Sequence, residues 1–157
     1  MRVGFGFDAH RLTETGCILL GGVVVSEQLG VDATSDGDVA AHAVADALLG
    51  AAALGDLGTF YPSDDPSSEG ADSMAILGDV VARLGAAGLR PSSLDVTVVA
   101  EEIRIAPHRS NIRRRLAETL NVAMECVSVK ATTTDGLGWV GRGEGIAASA
   151  IAVVERH

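Results

Sequence analysis

The sequence predicts an α+β fold, a two-layer sandwich in which helices cover one face of a four-stranded mixed sheet. Strand-like segments stand near both ends of the chain, and amphipathic helical segments lie between the strand groups. The 157 residues contain no linker or internal repeat, so we interpret residues 1–157 as one domain.

Composition indicates a folded protein whose core is aliphatic. Hydrophobic residues make up 47% of the chain and aromatic residues only 3%. The net charge of −9 argues against nucleic-acid and membrane partners, and we expect neither. No signal peptide or membrane span is visible, so we expect a cytoplasmic protein. Cys17 and Cys126 lack metal-binding spacing and are interpreted as buried small hydrophobic residues.

The first half of the chain predicts a strand, a hairpin and a long helix. Residues 3–7 alternate large and small side chains, as a strand does, and residues 18–25 form a hairpin around two glycines. A helix is expected over residues 35–54, with Ser35 and Asp38 as its capping box and Gly55 as its end.

The second half predicts two more helices and three more strands. A loop over residues 55–70 precedes a helix over 72–88 and a strand over 94–100. Pro107 is expected to open the third helix, and strands follow over 126–131 and 146–154. This order predicts a ferredoxin-like arrangement with a small additional N-terminal hairpin.

Asp8, His10 and His42 are candidate metal ligands. Residues two apart on a strand point to the same side, so Asp8 and His10 can reach one ion. His42 lies in an alanine-rich stretch where an unpartnered imidazole is costly, and Asp46 one turn later is expected to orient it. A carboxylate with two imidazoles suits zinc. The alternative is a histidine with a purely structural role in the core.

Residues 130–145 combine three threonines, an acid, an arginine and several glycines. Asp135 suits Mg²⁺, Arg142 suits a phosphate, and Glu144 is expected to hold Arg142. A glycine-rich turn between strands is the alternative. A separate run of arginines on the third helix is interpreted as a solvated outer face; these are Arg109, Arg113, Arg114 and Arg115.

Four motifs together resemble the 2-C-methyl-D-erythritol 2,4-cyclodiphosphate synthase family. They are Gly-Phe-Asp-Ala-His at 6–10, Ser-Asp-Gly-Asp-Val at 35–39 followed by His42, the stretch 46–58, and Lys-Ala-Thr-Thr-Thr-Asp-Gly-Leu-Gly-Trp-Val-Gly-Arg-Gly-Glu-Gly at 130–145. The resemblance covers residues 2–154. It implies a homotrimer with active sites at the subunit boundaries.

The resemblance also implies the reaction and its cofactors. The 2-phosphate of 4-diphosphocytidyl-2-C-methyl-D-erythritol 2-phosphate attacks the β-phosphorus, which gives the cyclic diphosphate and CMP. Zinc, or another divalent transition metal, is expected on Asp8, His10 and His42, and Mg²⁺ or Mn²⁺ on Asp135. Thr34 and Thr133 are the implied catalytic residues. An isoprenoid diphosphate on the trimer axis is a further implied ligand.

The implied substrate-binding residues fall into two groups. The first holds the methylerythritol and phosphate part, and consists of Asp8, Ala9, His10, Thr34, Ser35, Asp56, Leu57, Gly58, Tyr61, Pro62, Ser63, Asp64 and Asp65. The second comes from the neighbouring subunit or faces the central cavity, and consists of Ala100, Glu101, Glu102, Ile103, Arg104, Ile105, Ala106, Thr132, Thr133, Thr134, Asp135, Trp139 and Arg142.

The chain departs from the family pattern at five positions. Thr34 stands where histidine is usual, which predicts slower turnover because a hydroxyl donates a hydrogen bond but carries no charge. The other four replacements are Ile103 for proline, Arg104 for lysine, Asp135 for glutamate and Trp139 for phenylalanine.

Two other functions remain open at this point. A zinc hydrolase would use the same three metal ligands and a bound water, and would leave the threonine–glycine segment unexplained. A non-catalytic trimer that senses isoprenoid diphosphates through Arg142 and Glu144 would be consistent with Thr34.

Overall fold

The computed structural model describes residues 1–62 and 64–157. It contains seven strands and five helices in the described part of the chain. In chain order they are β1 (Arg2–Thr13), β2 (Ile18–Leu20), β3 (Val23–Ser26), β4 (Gly30–Asp32), α1 (Val39–Ala52), α2 (Leu57–Phe60), α3 (Ser73–Ala86), β5 (Leu89–Val99), α4 (Arg109–Leu120), β6 (Val127–Thr132), α5 (Gly138–Gly141) and β7 (Gly145–Arg156).

The main sheet has the strand order β4-β1-β7-β5-β6, while β2 and β3 form a separate hairpin. Among the described strands of this sheet, β5 and β6 pair in parallel, whereas the other neighbours run antiparallel. The predicted α+β class is confirmed, but the sheet has five strands rather than four. The extra strand is β4, which pairs with the last three residues of β1 and is too short to leave a periodic pattern.

Two glycines allow α1 to lie directly on β1. A Cβ on Gly4 would come within 2.0 Å of the Ala47 carbonyl oxygen, and one on Gly6 would come equally close to Ala43. The small residues on both elements therefore bring their backbones together. Because side chains alternate along a strand, the face that carries Gly4 and Gly6 also carries Asp8. This packing brings β1 and His42 of α1 together.

Helix α1 begins later than the sequence indicates. Its N-cap is Asp38, which is completely buried and accepts the Ala41 N–H at 2.9 Å. The same carboxylate accepts the N–H groups of Gly21 at 2.9 Å and Gly22 at 2.7 Å, in the turn between β2 and β3. The predicted capping box is therefore wrong: Asp38 is the cap itself, and two of its three partners come from a distant turn. The helix ends at Ala53, which is left-handed with φ 58°.

The two other long helices use the expected apolar faces. Leu77, Val80 and Leu84 of α3 are completely buried, as are Ile112 and Leu116 of α4. A short 3₁₀ turn, Ala106–His108, precedes α4, so Pro107 lies just before the helix rather than at its first residue.

Two expectations about individual residues are wrong. Cys17 is exposed and Cys126 is half-buried, so neither is a core residue. Arg113 is not part of a solvated face, because its guanidinium donates to the carbonyl oxygens of Val127 at 2.8 Å and Met124 at 3.0 Å. These bonds fasten α4 to the start of β6, while Arg114 remains exposed as expected.

The face of the sheet opposite the helices carries exposed apolar side chains. Phe5 is 65% exposed and lies opposite Ile151 in the β1–β7 register, and the exposed Val3 lies opposite Val153. Phe7 is exposed on the same strand. Large contiguous apolar surface of this kind is characteristic of protein–protein interfaces. Within the described residues, no helix has the length and apolar character needed to cross a membrane.

Candidate active site

Asp8, His10 and His42 converge on one point between β1 and α1. The Oδ2 atom of Asp8 lies 2.9 Å from Nδ1 of His42 and 3.1 Å from Nε2 of His10. The two imidazole rings meet edge to face, with centroids 5.8 Å apart. The structure thus brings together three side chains that are separated by up to 34 positions in the chain.

Charge and burial perturb the ionisation of this group. Burial alone would raise the pKa of Asp8, but its interactions with His10 and His42 outweigh burial and lower the pKa to about 2. Burial opposes protonation of His42, yet the hydrogen bond and the negative charge of Asp8 raise the pKa of that imidazole. The site therefore favours a carboxylate with positive charge beside it.

The three side chains fit a divalent metal ion. Their ligand atoms lie within 4.8 Å of one another, and ligands of tetrahedral zinc lie about 3.3 Å apart at bond lengths of about 2.0–2.1 Å. The Nε2 atom of His10 is buried without a hydrogen-bond partner among the described residues, because its contact with Asp8 has the distance of an ion pair but not hydrogen-bond geometry. An ion among these atoms would satisfy that nitrogen.

The other nitrogen of His42 contacts two serines. Its Nε2 atom lies 2.8 Å from the Oγ atom of Ser73 and 3.3 Å from that of Ser35. Asp46 does not orient His42, contrary to expectation, since its Oδ1 atom accepts the Leu57 N–H at 2.8 Å and so holds the start of α2. Asp46 therefore stabilises the segment that contains Leu57 and not the imidazole of His42.

A cavity of about 240 Å³ opens beside the three candidate ligands. Its lining residues come from β1, α1, α2, α3 and the loops before α1 and α3; they are Asp8, His10, Thr34, Ser35, His42, Asp46, Leu57, Tyr61, Ser68 and Ile76. Six of the thirteen residues of the first predicted group therefore line one cavity, and Ala9 lies on β1 between two of them. Asp56, Gly58, Pro62, Asp64 and Asp65 are exposed nearby in the chain, whereas Ser63 lies outside the described residues.

Tyr61 is held at the cavity wall by side chains of α3. Its hydroxyl donates to Oδ2 of Asp79, which also pairs with Arg83 at 2.7 Å. The Arg83 guanidinium in turn lies 4.3 Å from the centroid of the Phe60 ring. These contacts link the segment after α2 to α3, and sequence reasoning did not identify Asp79 or Arg83.

The second predicted group lies elsewhere on the same chain. Residues 100–106 follow β5 and residues 132–135 end and follow β6, and the parallel pairing of these strands brings both segments to one sheet edge. A hydrogen bond connects the two segments, because the Thr134 N–H donates to the Glu101 carboxylate at 3.3 Å. None of these residues lines the cavity beside His42. One chain thus presents two separate groups of candidate residues.

The glycine-rich segment is a compact turn with a short helix. Asp135 has a left-handed backbone, φ 52°, and exchanges hydrogen bonds with the Thr133 hydroxyl. Arg142 donates to Glu144 at 2.7 Å, as the sequence predicts. Trp139 packs over Gly145, where any Cβ would come within 2.6 Å of its ring.

Two residues near His42 were not predicted from the sequence. Ser73 contacts the imidazole directly, and Asp36 contacts Ser73. The available signal was weak: Ser73 is a small polar residue at the start of α3, one position after the N-cap Asp72. Nothing in the spacing relates it to a helix 31 residues earlier.

Comparison with known proteins identifies the family. A model described as the YgbB family matches residues 1–155. The 2-C-methyl-D-erythritol 2,4-cyclodiphosphate synthase of Yersinia enterocolitica is 49% identical over 156 residues, with 98% of this chain and 96% of that protein covered. The synthase of Salinibacter ruber is 50% identical over 155 residues, and 99% of each chain is covered.

Solved structures give the same relationship. The chain superimposes on bifunctional IspDF of Campylobacter jejuni with a TM-score of 0.96 and 36% identity, covering 99% of this chain but 42% of that longer protein. It matches a CDP-bound form of 2C-methyl-D-erythritol-2,4-cyclodiphosphate synthase with a TM-score of 0.89 and 29% identity, over 98% of this chain and all of that one. With a family model matched over residues 1–155 and relatives near 50% identity over full length, this chain belongs to the YgbB family.

Proposed function

We propose that this protein converts 4-diphosphocytidyl-2-C-methyl-D-erythritol 2-phosphate to 2-C-methyl-D-erythritol 2,4-cyclodiphosphate and CMP. The observation that carries the proposal is the convergence of Asp8, His10 and His42 beside a cavity, in a chain whose relatives are named as synthases of that product. In the reaction a 2-phosphate oxygen bonds to the β-phosphorus, and the bond from that phosphorus to the bridging oxygen of CMP breaks.

The chain's own residues bind and orient the substrate. Bound divalent ions, a transition metal on Asp8, His10 and His42 and Mg²⁺ or Mn²⁺ on Asp135, would supply Lewis-acid polarisation of the diphosphate. Thr34 lines the cavity, and its hydroxyl donates to a phosphate oxygen as charge shifts. Because the attack is intramolecular, holding the two phosphates in contact supplies most of the acceleration.

The complete site requires a second copy of the chain, and we place it in a homotrimer. Two observations support this arrangement. The cytidine segment, residues 100–106, and Thr132–Asp135 are absent from the cavity beside His42. The face of the sheet opposite the helices exposes the apolar side chains of Phe5, Phe7 and Ile151, and such a face is suited to burial against neighbouring copies. A neighbour then supplies the cytidine pocket, and Thr133 acts from there.

An isoprenoid diphosphate on the trimer axis remains part of the proposal. A second cavity of about 550 Å³ has an apolar lining that includes Phe7, Val99, Leu137 and Trp139. Arg142 lies three residues beyond Trp139 and is paired with Glu144, so a diphosphate would compete with that carboxylate for the guanidinium.

The decisive experiment follows the products by phosphorus NMR. We expect the purified protein to form CMP and the cyclic diphosphate in equal amounts. Product formation should stop when a chelator removes the metal and should resume when a divalent ion is added back. His42→Ala should lose this activity, while the control His157→Ala, at an exposed histidine, should retain it. Linear hydrolysis products would instead identify a metal hydrolase, and binding without turnover would identify a sensor.

A further inference from the structure

A chain of polar contacts runs from His42 through Ser73 to Asp36. Ser73 is 1% exposed, and its Oγ atom lies 2.8 Å from Nε2 of His42. Asp36 accepts both donors of this serine: its Oδ2 atom accepts the backbone N–H at 3.0 Å, and its Oδ1 atom accepts the hydroxyl. Asp36 is itself fixed, because its N–H donates to the Ala71 carbonyl at 3.1 Å.

The direction of the hydrogen bonds follows from counting protons. A serine hydroxyl carries one proton, and an ionised carboxylate can only accept. Since the Ser73 proton is directed to Asp36, its Oγ atom offers only a lone pair to His42. The Nε2 atom of His42 must therefore be the donor in this contact.

A protonated Nε2 determines what the other ring nitrogen can do. The ionised Asp8 carboxylate also only accepts, and its Oδ2 atom lies 2.9 Å from Nδ1, so without an ion Nδ1 donates to Asp8 and both ring nitrogens carry protons. An ion among the candidate ligands would take the place of the Nδ1 proton, while the Nε2 proton directed to Ser73 would stay. We propose that Ser73 and Asp36 are positioning residues that fix the tautomer and ring orientation of His42 for binding a divalent ion; this rests on the metal site of the proposed function.

Ser35 makes a weaker contact with the same nitrogen. Its Oγ atom is 3.3 Å from Nε2 of His42, and that oxygen also accepts the Gly37 N–H at 3.2 Å. Ser35 is half-buried, whereas Ser73 is excluded from solvent. Ser73 is therefore the main acceptor for His42, and comparing the two serines tests the assignment.

The first measurement is cobalt(II) affinity, with cobalt(II) absorption as the probe. We expect Ser73→Ala to bind cobalt(II) about 10–100-fold more weakly, as is typical when a hydrogen-bond partner of a metal-ligating histidine is removed. Asp36→Asn removes the charge but retains an acceptor, so its loss should be smaller. Ser35→Ala should change affinity less than Ser73→Ala. Ser92→Ala is the control, because its hydroxyl donates to the Val153 carbonyl on a distant strand.

The second measurement is nitrogen NMR of the zinc-loaded protein, which reads which nitrogen of His42 keeps its proton. The wild type should bind zinc through Nδ1 and keep the proton on Nε2, and Ser73→Ala should lose that preference. A wild type with the proton on Nδ1 would overturn the inference, as would unchanged tautomer and affinity in Ser73→Ala and Asp36→Asn. A wild type that binds neither cobalt(II) nor zinc would instead overturn the proposed metal function on which the inference rests.

Discussion

Replacing Asp38 with alanine removes the contact that fastens the start of α1 to the β2–β3 turn. The carboxylate accepts three backbone N–H groups, from Gly21, Gly22 and Ala41, at 2.7–2.9 Å. Asp38 has no exposed surface, so no water replaces it at that position without rearrangement. Because His42 lies one turn into the same helix, the change also loosens the candidate metal site.

The expected loss of stability follows from the three donors. Gly21 and Ala41 donate in buried contacts, and an unpaired buried donor costs about 1–3 kcal/mol. The Gly22 contact is partly exposed, so water can replace it at little cost. Burial raises the pKa of Asp38, which means that desolvation of the carboxylate offsets part of the gain. We expect a net loss of about 3 kcal/mol, or a melting temperature about 6–12 °C lower.

The assay is chemical and thermal unfolding at one fixed protein concentration, because self-association would make stability concentration-dependent. Asp72→Ala is the matched control. Asp72 is also an N-cap, accepting two N–H groups at the start of α3, but it is exposed. That change should cost about 1 kcal/mol, as exposed caps do. Asp38→Asn keeps one acceptor oxygen and should fall between the two.

Asp38→Ala being no more destabilising than Asp72→Ala would contradict the proposed role of the three hydrogen bonds. That result would mean that burial of the carboxylate cancels all three hydrogen bonds. A loss well above 5 kcal/mol would also contradict the estimate, since it would require the β2–β3 hairpin to detach entirely.

Three further predictions concern the candidate active site and the sheet face opposite the helices. Thr34→His should raise kcat about tenfold in a steady-state assay, because a charged donor stabilises a phosphate better than a hydroxyl does; an unchanged kcat would show that Thr34 is adequate. If the protein forms the proposed trimer, Phe5→Glu should abolish it in light scattering, whereas Val24→Glu, at a residue 42% exposed on the hairpin, should leave it intact; equal effects would contradict the proposed interface. Metal affinity should fall as the pH falls through the raised pKa of His42, because the ion must displace a proton. Calorimetry in buffers of different ionisation enthalpy should detect proton release on metal binding below that pKa, and the absence of release would contradict the raised pKa.

Local patterns predicted that Asp8, His10 and His42 would come together as candidate metal ligands. Asp8 and His10 alternate on one strand, so they share a face whatever the rest of the fold, and glycine at positions 4 and 6 allows close approach of an alanine-rich helix. The alanine-rich sequence around His42 is enough to place it on that helix. The geometry between strand and helix then brings all three together.

Contacts between distant segments could not be predicted. Asp38 was expected to act within its own helix, yet two of its three partners lie 16 and 17 residues earlier in a hairpin turn. Asp46 was expected to hold His42 but bonds Leu57 instead, because α2 packs against that end of α1. Ser73 reaches His42 only through the packing of α3 on α1, which no local pattern records.

One divalent ion is expected to bind among Asp8, His10 and His42. An anomalous-scattering map of crystals grown with zinc tests this binding most directly. We expect one peak per chain, bonded to Oδ2 of Asp8, Nε2 of His10 and Nδ1 of His42, and no such peak in His42→Ala. A wild-type map without anomalous density among these three atoms, in crystals that bind zinc elsewhere, would contradict the assignment of these residues as metal ligands.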